Sequence, residues 1–140
     1  MAQTQITQTA VGNIEFHDVP GLQNPLEQFN YATVAPNGMV YLSCVQGFKP
    51  GTLTLVSDKP EEQTKQVLAN MQHILSHVGS SLETVVKFTL LLKDMEDFPQ
   101  VNAEIVKAFG NKMPARSSIQ AVIPKGCKVA IDCVALQTDK

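Results

Sequence analysis

The sequence feature that most constrains the fold is a segment whose apolar residues all fall on one side of a helix. Between residues 67 and 78 they recur at spacings of three and four, at Val67, Leu68, Met71, Ile74, Leu75 and Val78. This spacing makes one apolar stripe along an α-helix. Polar residues such as Lys65 and Ser76 occupy the other side. A helix that is apolar on one side only must cover a core built by other elements, so we expect it to lie on a sheet.

Sequence signals mark both ends of this helix. Asp58 followed by Glu61 resembles a capping box, in which side chains bond to free main-chain N–H groups of the first turn. Gly79 suits the left-handed conformation that ends many helices. The predicted helix therefore runs from just after Asp58 to just before Gly79.

A second helix is predicted after residue 97. Asp97 and Gln100 form its predicted cap pair, and Gly110 is its predicted end. The residues predicted to face inward are Val101, Ile105, Val106 and Phe109.

Several segments have the composition of β-strands. Residues 31–35 and 39–43 flank Pro36-Asn37-Gly38 and predict a hairpin, because Asn-Gly accepts the positive φ angles of tight turns. Residues 85–92 are rich in branched and aromatic side chains and predict a strand. Residues 114–136 contain two apolar-rich runs around the turn Pro124-Lys125-Gly126, which predicts two more strands.

The remaining segments have weaker patterns. Residues 4–17 alternate loosely between polar and apolar around Gly12-Asn13, which predicts an opening strand or hairpin. Residues 20–25 are predicted to be a loop because they contain Gly and Pro. Residues 44–57 are predicted to be a loop for the same reason, and this loop is expected to fold over a cleft.

The order of elements is two hairpin-like units, a helix, a strand, a helix and two strands. Two one-sided helices over a sheet of about six strands predict an α/β (α+β) domain with both helices on one face. With 140 residues and 44% hydrophobic content, the chain fits one domain, residues 1–140.

The second face of this sheet has no predicted cover. In the last strand, one side is predicted to hold Cys127, Val129, Ile131 and Cys133, and the other to hold Lys128, Ala130, Asp132 and Val134. In the strand of residues 85–92, the apolar side is predicted to hold Val86, Phe88, Leu90 and Leu92. Because the opposite sides are partly apolar too, we expect self-association to bury them, with clefts between subunits.

The composition disfavours several classes of partner. The net charge is −2 and no basic block occurs, so nucleic acid is not expected as a partner. No apolar run approaches the roughly 20 residues of a membrane span, so no membrane partner is expected. The first residues lack the basic and apolar regions of a signal peptide. These features predict a cytoplasmic protein and leave mitochondrial residence open.

The cysteine and histidine residues do not predict a metal site. Cys44, Cys127 and Cys133 are odd in number and far from any Cys-x-x-Cys pairing, so they are expected to be reduced thiols. His73 and His77 lie one helical turn apart, but no Asp or Glu accompanies them in a metal-binding spacing. We expect them on a solvated helix face.

Arg116 is the most distinctive candidate for a functional residue. It follows Pro114 at the entrance to a predicted strand. Its guanidinium is a planar fork of donors, which suits a carboxylate ligand better than an ammonium would. A simpler alternative is that Arg116 pairs with an acidic residue at a strand end.

Four separated blocks, in this order, resemble the RidA/YjgF family, which is also called the L-PSP endoribonuclease family. The blocks are Gln63-Thr64-x-Gln66-x-Leu68-x-Asn70, Gly79-Ser80-Ser81-Leu82-x-x-Val85-Val86-Lys87-x-Thr89, Asp94-Met95-x-Asp97-Phe98-x-x-Val101-Asn102 and Pro114-Ala115-Arg116-Ser117. The resemblance implies a chorismate-mutase-like fold and a homotrimer whose three sheets form a central barrel. It also implies hydrolysis of reactive 2-imino acids or 2-aminoacrylates to 2-keto acids and ammonia, without a cofactor.

The resemblance also assigns site residues. It implies that Arg116 binds the substrate carboxylate and that Ser118, which replaces a family cysteine, contacts the substrate or its water through main-chain groups. Phe29 or Tyr31 falls near a family tyrosine that borders the cleft. Phe98, in one of the matching blocks, is expected to bind substrate as well.

Two positions depart from the family pattern. Cys44 stands where family members have a small residue that admits the ligand, so it narrows the pocket. Ala130 stands where family enzymes carry the glutamate that orients the attacking water, and alanine cannot replace it. Asp132 matches a second glutamate about 7 Å further along the strand and could act only in a shifted pocket.

Three functions remain open at this point. The first is an imine deaminase, weakened by the loss of the glutamate. The second is a non-catalytic trimeric module that binds small carboxylates or keto acids. The third is an endoribonuclease, which is disfavoured because the sequence shows neither paired histidines nor a basic groove.

Overall fold

The computed structural model describes residues 12–22 and 29–138, which form a mixed seven-stranded sheet with two α-helices. The strands are β1 (Glu15–His17), β2 (Ala32–Val34), β3 (Met39–Leu42), β4 (Val45–Gln46), β5 (Val85–Leu92), β6 (Ala115–Gln120) and β7 (Val129–Leu136). The helices are α1 (Pro60–His77), between β4 and β5, and α2 (Phe98–Phe109), between β5 and β6. The predicted α+β architecture is confirmed.

The sheet has the strand order β1-β2-β3-β7-β5-β6, and β4 also pairs with β7. Among the strands that the structure describes, β5 and β6 are the one parallel pair. The predicted β2–β3 hairpin is confirmed, with Gly38 at a φ of 87° in its turn. The two strands predicted within residues 114–136 are also confirmed, but β5 lies between them. β6 is thus at one edge of the sheet.

Two predicted irregular segments have different outcomes. Residues 44–57 are not a plain loop, because β4 pairs with β7 and Phe48 forms a bridge with Leu55. The opening strand is confirmed as β1, although residues 4–11 lie outside the described residues, as do residues 23–25 of the predicted loop.

Helix α1 is confirmed, but its predicted cap is wrong. The helix begins at Pro60 with Lys59 at the N-cap, and no side chain makes a capping hydrogen bond there. Proline suits this first position because its φ is fixed near the helical value and it lacks the N–H that would need a cap. At the other end the prediction is confirmed, since Gly79 has a φ of 78° and the Ser80 N–H donates to the Leu75 carbonyl over 2.8 Å.

Helix α2 is confirmed between Asp97 and Gly110, with two errors of detail. Asp97 stands at the N-cap but makes no side-chain capping bond. Val106 was predicted to face inward, yet 47% of it is exposed. The buried residues Val101, Ile105 and Phe109 are spaced by four, and this narrower stripe turns Val106 towards solvent.

The main core lies between the two helices and one face of the sheet. β5 contributes Phe88, Leu90 and Leu92 to it, as predicted. Val86 was predicted on the same side but is 46% exposed, because a bulge shifts the register between Val85 and Lys87. A β-bulge places one extra residue on the strand and turns its side chain out of the alternating pattern.

The second face of the sheet carries a smaller apolar cluster of Phe48, Ile123, Cys127 and Ala130. The predicted alternation is wrong for Cys127, which was placed with Val129 and Cys133. β7 begins only at Val129, so Cys127 precedes the strand and follows the turn Pro124–Gly126. All three of these residues are buried.

Neither helix of the described residues combines the length and apolar composition needed to cross a bilayer.

Candidate active site

Arg116 lies on the edge strand β6, in register with Phe88 of β5. Its guanidinium carbon is 5.1 Å from the centre of the Phe88 ring and 5.5 Å from that of Phe98. Its Nη1 donates to Asn102 Oδ1 over 2.7 Å. Both aromatic faces attract the cation. Strand β5 and helix α2 therefore fix the position of this charge.

The second terminal nitrogen of Arg116 is unpaired. Nη2 is buried and has no hydrogen-bond partner among the residues that the structure describes. Burial lowers the pKa of Arg116, but a guanidinium remains protonated in proteins. A buried charged donor without a partner is costly, and a carboxylate can satisfy it. The alternative that Arg116 pairs with an acid is not observed, since none of the described ion pairs includes it.

Ser118 is two residues further along β6 and is partly buried. Residues two apart on a strand point to the same face, so Ser118 and Arg116 share one side of the sheet. Within the described part of the chain, β6 pairs only with β5. An edge strand leaves main-chain N–H and C=O groups available on its outer side.

A cavity of about 300 Å³ opens on the second face of the sheet. Its lining consists of Phe29, Ser43, Cys44, Gln46, Phe48, Pro124 and Lys125. Ala130 is buried beside Phe48 and does not line the cavity. Tyr31 is buried in the main core, and its ring contacts that of Phe29 at 5.7 Å between centres.

The predicted site residues therefore fall into two groups. Arg116 packs on Phe88, which belongs to the core on the helix side of the sheet. Ala130 belongs to the apolar cluster on the opposite side. The first group is Arg116, Ser118 and Phe98. The second group is Phe29, Cys44 and Ala130, and the core residue Tyr31 contacts the Phe29 ring. Within one chain, the two groups lie on opposite faces of the sheet, and each group is one half of the predicted site.

The cavity on the second face lacks an acid or base among its described lining residues, apart from the exposed amine of Lys125. Burial raises the pKa of Cys44 to about 11, with smaller contributions from Asp132 and Cys127. The Cys44 thiol is therefore protonated at neutral pH. Asp132 is only partly buried and lies two residues after Ala130 on β7, so both point to the second face of the sheet.

The raised pKa predicts how Cys44 reacts with alkylating agents. Because only the thiolate reacts, the rate of alkylation by iodoacetamide is expected to rise about tenfold per pH unit from pH 8 to pH 10. Burial raises the pKa of Cys127 to about 11 and that of Cys133 to about 12, so neither is expected to react at a lower pH than Cys44. Mass spectrometry of each modified peptide measures the rates, and Cys44→Ser confirms the assignment. A plateau below pH 9 would contradict the prediction.

Two partners of Arg116 were missed from the sequence. Asn102 stands in one of the family blocks, but nothing in the block shows that it bonds to a residue 14 positions away. Phe88 looked like an ordinary core residue. Pairing of β5 with β6 brings its ring to the guanidinium, and a sequence pattern does not reveal strand register.

The histidines are arranged differently from the prediction. His73 is exposed as expected, and its Nε2 lies 2.7 Å from the Pro20 carbonyl oxygen. His77 is not on a solvated face, because its ring contacts that of buried His17 at 5.7 Å. Burial, followed by the neighbouring His17 and His73, lowers the pKa of His77. His17 Nε2 lies 3.0 Å from Glu15 Oε1.

His17 and His77 line a second cavity, of about 660 Å³, together with Glu15. The other described residues around it include no Lys or Arg. No group of three His, Cys, Asp or Glu side chains that could hold a metal ion occurs within residues 12–22 and 29–138.

Comparison with known proteins agrees with the resemblance seen in the sequence. The sequence profile of the family described as Endoribonuclease L-PSP matches residues 22–137. The chain belongs to this family. Within it, the relatives of this L-PSP chain include RidA and RutC proteins.

Two relatives and one solved structure illustrate the similarity. Reactive Intermediate Deaminase A of Arabidopsis thaliana is 43% identical over 103 residues, which are 73% of this chain but 55% of that protein. The 2-iminobutanoate/2-iminopropanoate deaminase of Homo sapiens is 38% identical over 119 residues, 84% of each protein. A crystal structure described as an endoribonuclease L-PSP from Entamoeba histolytica has a TM-score of 0.82 at 36% identity, over 88% of this chain and 98% of that one.

Proposed function

We propose that this L-PSP family protein hydrolyses reactive 2-imino acids, or their enamine forms, to 2-keto acids and ammonia. The observation that carries the proposal is Nη2 of the partly buried Arg116, because this nitrogen is buried and has no hydrogen-bond partner among the described residues. Two relatives are named for this chemistry, the reactive intermediate deaminase and the 2-iminobutanoate/2-iminopropanoate deaminase.

In the proposed reaction, Arg116 binds the substrate carboxylate through its free nitrogen and main-chain groups near Ser118 hold the attacking water. Water adds to the C=N carbon, the nitrogen leaves as ammonia, and the carbon becomes the carbonyl of the keto acid. Because an imine is already electrophilic, positioning supplies much of the catalysis. No cofactor takes part in this sequence of steps.

The two halves of the site are proposed to meet in a homotrimer. Arg116, Ser118 and Phe98 of one copy would face the cavity of Phe29 and Cys44 in the next copy. Edge strand β6 and the second sheet face support this assembly, since Tyr41, Ile119 and Leu136 are each more than 40% exposed there. We propose that residues 1–140 form one domain of this trimer.

Ala130 favours a second candidate function. It is completely buried, and no Asp or Glu occurs among the described residues that line the neighbouring cavity. A protein with the arginine but without a carboxylate to orient water can bind a keto acid without hydrolysing its imine. The alternative is thus a trimeric module that binds small carboxylates or keto acids.

One pair of measurements separates the two candidates. 2-Aminoacrylate or 2-iminopropanoate is generated enzymatically, and ammonia release is compared with and without the protein. Binding of 2-oxobutanoate is measured by calorimetry. Faster release supports the deaminase, whereas binding without faster release supports the binding module. Absence of both would refute the proposal.

Replacing Ala130 with glutamate is expected to increase deamination by roughly 100-fold, within the range for a positioned acid or base. The apolar cluster of Phe48 and Cys127 around this position would raise the pKa of the new carboxyl group towards neutral pH. Ala130→Gln is the matched control, because it has nearly the same size without a carboxylate. An equal gain in both variants, or in neither, would show that this position does not limit turnover.

The endoribonuclease hypothesis gains little from the structure. The contact between His17 and His77 was not foreseen, and two histidines can in principle act as acid and base. However, the described lining of their cavity includes Glu15 and no cationic side chain that would support a phosphate. We therefore do not include RNA among the proposed substrates.

A further inference from the structure

Helix α1 buries polar side chains within its otherwise apolar inner face. Gln63 is 1% exposed and Asn70 is 5% exposed. Buried polar groups need hydrogen-bond partners. The amide nitrogens of both residues donate to main-chain carbonyls in the segment of residues 44–57, and the Gln63 amide oxygen accepts at the entrance to β7.

Asn70 holds the main chain at one wall of the cavity of about 300 Å³ on the second face. Its Nδ2 donates to the carbonyls of Gln46 and Phe48, each over 3.0 Å. Its Oδ1 accepts from Gln66 Nε2 over 2.8 Å. The two carbonyls flank Gly47, and the residues that own them both line the cavity. Asn70 therefore fixes two lining residues through one amide.

Gln63 holds the same segment further along. Its Nε2 donates to the Ser57 carbonyl over 2.9 Å, and its Oε1 accepts from the Lys128 N–H over 2.9 Å. Gly47 lies so close to the helix that a Cβ there would be 2.7 Å from the Gln63 carbonyl oxygen. The segment is thus docked on α1 at contact distance, and a small shift of its main chain would move the cavity wall.

We propose that Asn70 is a positioning residue for the ligand. Its two donated hydrogen bonds fix the position of the main chain at Gln46 and Phe48, which form one wall of the cavity. This position determines which side chain of a 2-keto or 2-imino acid fits. The effect on ligands rests on the proposed function. The docking of the segment does not depend on that function, so the two parts can be tested separately.

The ligand test compares dissociation constants for 2-oxobutanoate and the larger 4-methyl-2-oxopentanoate. Asn70→Ala is expected to weaken 2-oxobutanoate binding about tenfold. It is also expected to shift the ratio of the two constants about fivefold towards the larger acid, because the released wall yields to a longer side chain. Gln66→Ala leaves both donated bonds in place and is expected to keep the wild-type ratio. An unchanged ratio in Asn70→Ala would overturn the proposal.

A destabilised control separates positioning from general loss of stability. Ile74→Val lies on the same helix, is fully buried and has no hydrogen bond to the segment, so it is expected to lower the unfolding temperature without changing the ratio. Asn70→Asp has the size of asparagine but lacks the amide donors, and is expected to behave like Asn70→Ala. A ratio shift in Ile74→Val equal to that in Asn70→Ala would also overturn the proposal.

Hydrogen exchange tests the docking without any ligand. In Asn70→Ala, the amides of residues 44–57 are expected to exchange about tenfold faster than in the wild-type protein. In Ile74→Val, the exchange rates of these amides are expected to rise no more than those of the other amides. If the wild-type protein neither binds a 2-oxo acid nor accelerates ammonia release, the proposed function fails, and hydrogen exchange still decides whether Asn70 docks the segment. Equal exchange in the wild-type protein and Asn70→Ala would refute the docking.

Discussion

Replacing Arg116 with alanine is expected to lower kcat/KM for 2-iminopropanoate, and the affinity for 2-oxobutanoate, by about 100- to 1000-fold. Nη2 carries two N–H groups, and two charge-assisted hydrogen bonds from them to the ligand are worth about 3–4 kcal/mol together, which corresponds to this range. Calorimetry and the ammonia-release assay measure the two effects. The free energy of unfolding is expected to change far less, because the substitution also removes a buried donor that has no partner among the described residues.

Two control variants sharpen this experiment. Arg116→Lys keeps the charge but not the planar fork, so an intermediate loss of about tenfold is expected. Lys125→Ala removes the ammonium that lines the cavity, and only a small loss is expected if Arg116 anchors the ligand. A loss in Lys125→Ala as large as that in Arg116→Ala would place the carboxylate at Lys125 instead.

The regular elements could be predicted because their patterns are local. Each pattern lies within a single element: the apolar stripe of α1, the Asn37-Gly38 turn and the branched residues of β5. All three predictions are confirmed. The cap of α1 was wrong because two local signals compete there. Pro60 can begin a helix without any side-chain bond, and it overrides the Asp58 and Glu61 pattern.

Errors on the faces of strands have a different origin. Val86 and Cys127 were assigned by strict alternation, which fails wherever a strand bulges or has not yet begun. A single irregular residue moves the side chains before it to the opposite face. Sequence alone gives no sign of the bulge beside Val86, since the bulge depends on pairing with β7.

The candidate site was predicted less completely than the fold. The motif around Arg116 identified the guanidinium, but the contacts that hold it come from β5 and α2, far away in the sequence. Asn70 appeared only as part of a family block, and its bonds to the cavity wall became visible from the structure. Long-range hydrogen bonds of this kind leave no periodic trace in a single sequence.

Phe88 is expected to show the largest effect on stability of any residue around Arg116. It is 1% exposed, stacks on Phe109 of α2 with 5.5 Å between ring centres, and lies beneath the guanidinium. Phe88→Ala removes this ring from a packed core and is expected to lower the free energy of unfolding by about 3–5 kcal/mol. Denaturant unfolding at a fixed protein concentration measures the change, since an oligomer's stability depends on concentration.

Phe98→Ala is the matched control for this prediction. Phe98 also faces the guanidinium, at 5.5 Å, but it is only partly buried, so a smaller loss of about 1–2 kcal/mol is expected. Each substitution removes one aromatic face from Arg116, and both are expected to weaken 2-oxobutanoate binding. If Phe88→Ala were no more destabilising than Phe98→Ala, the stack of Phe88 on Phe109 would not be what joins β5 to α2. The rigid placement of Arg116 would then need another cause, such as its bond to Asn102.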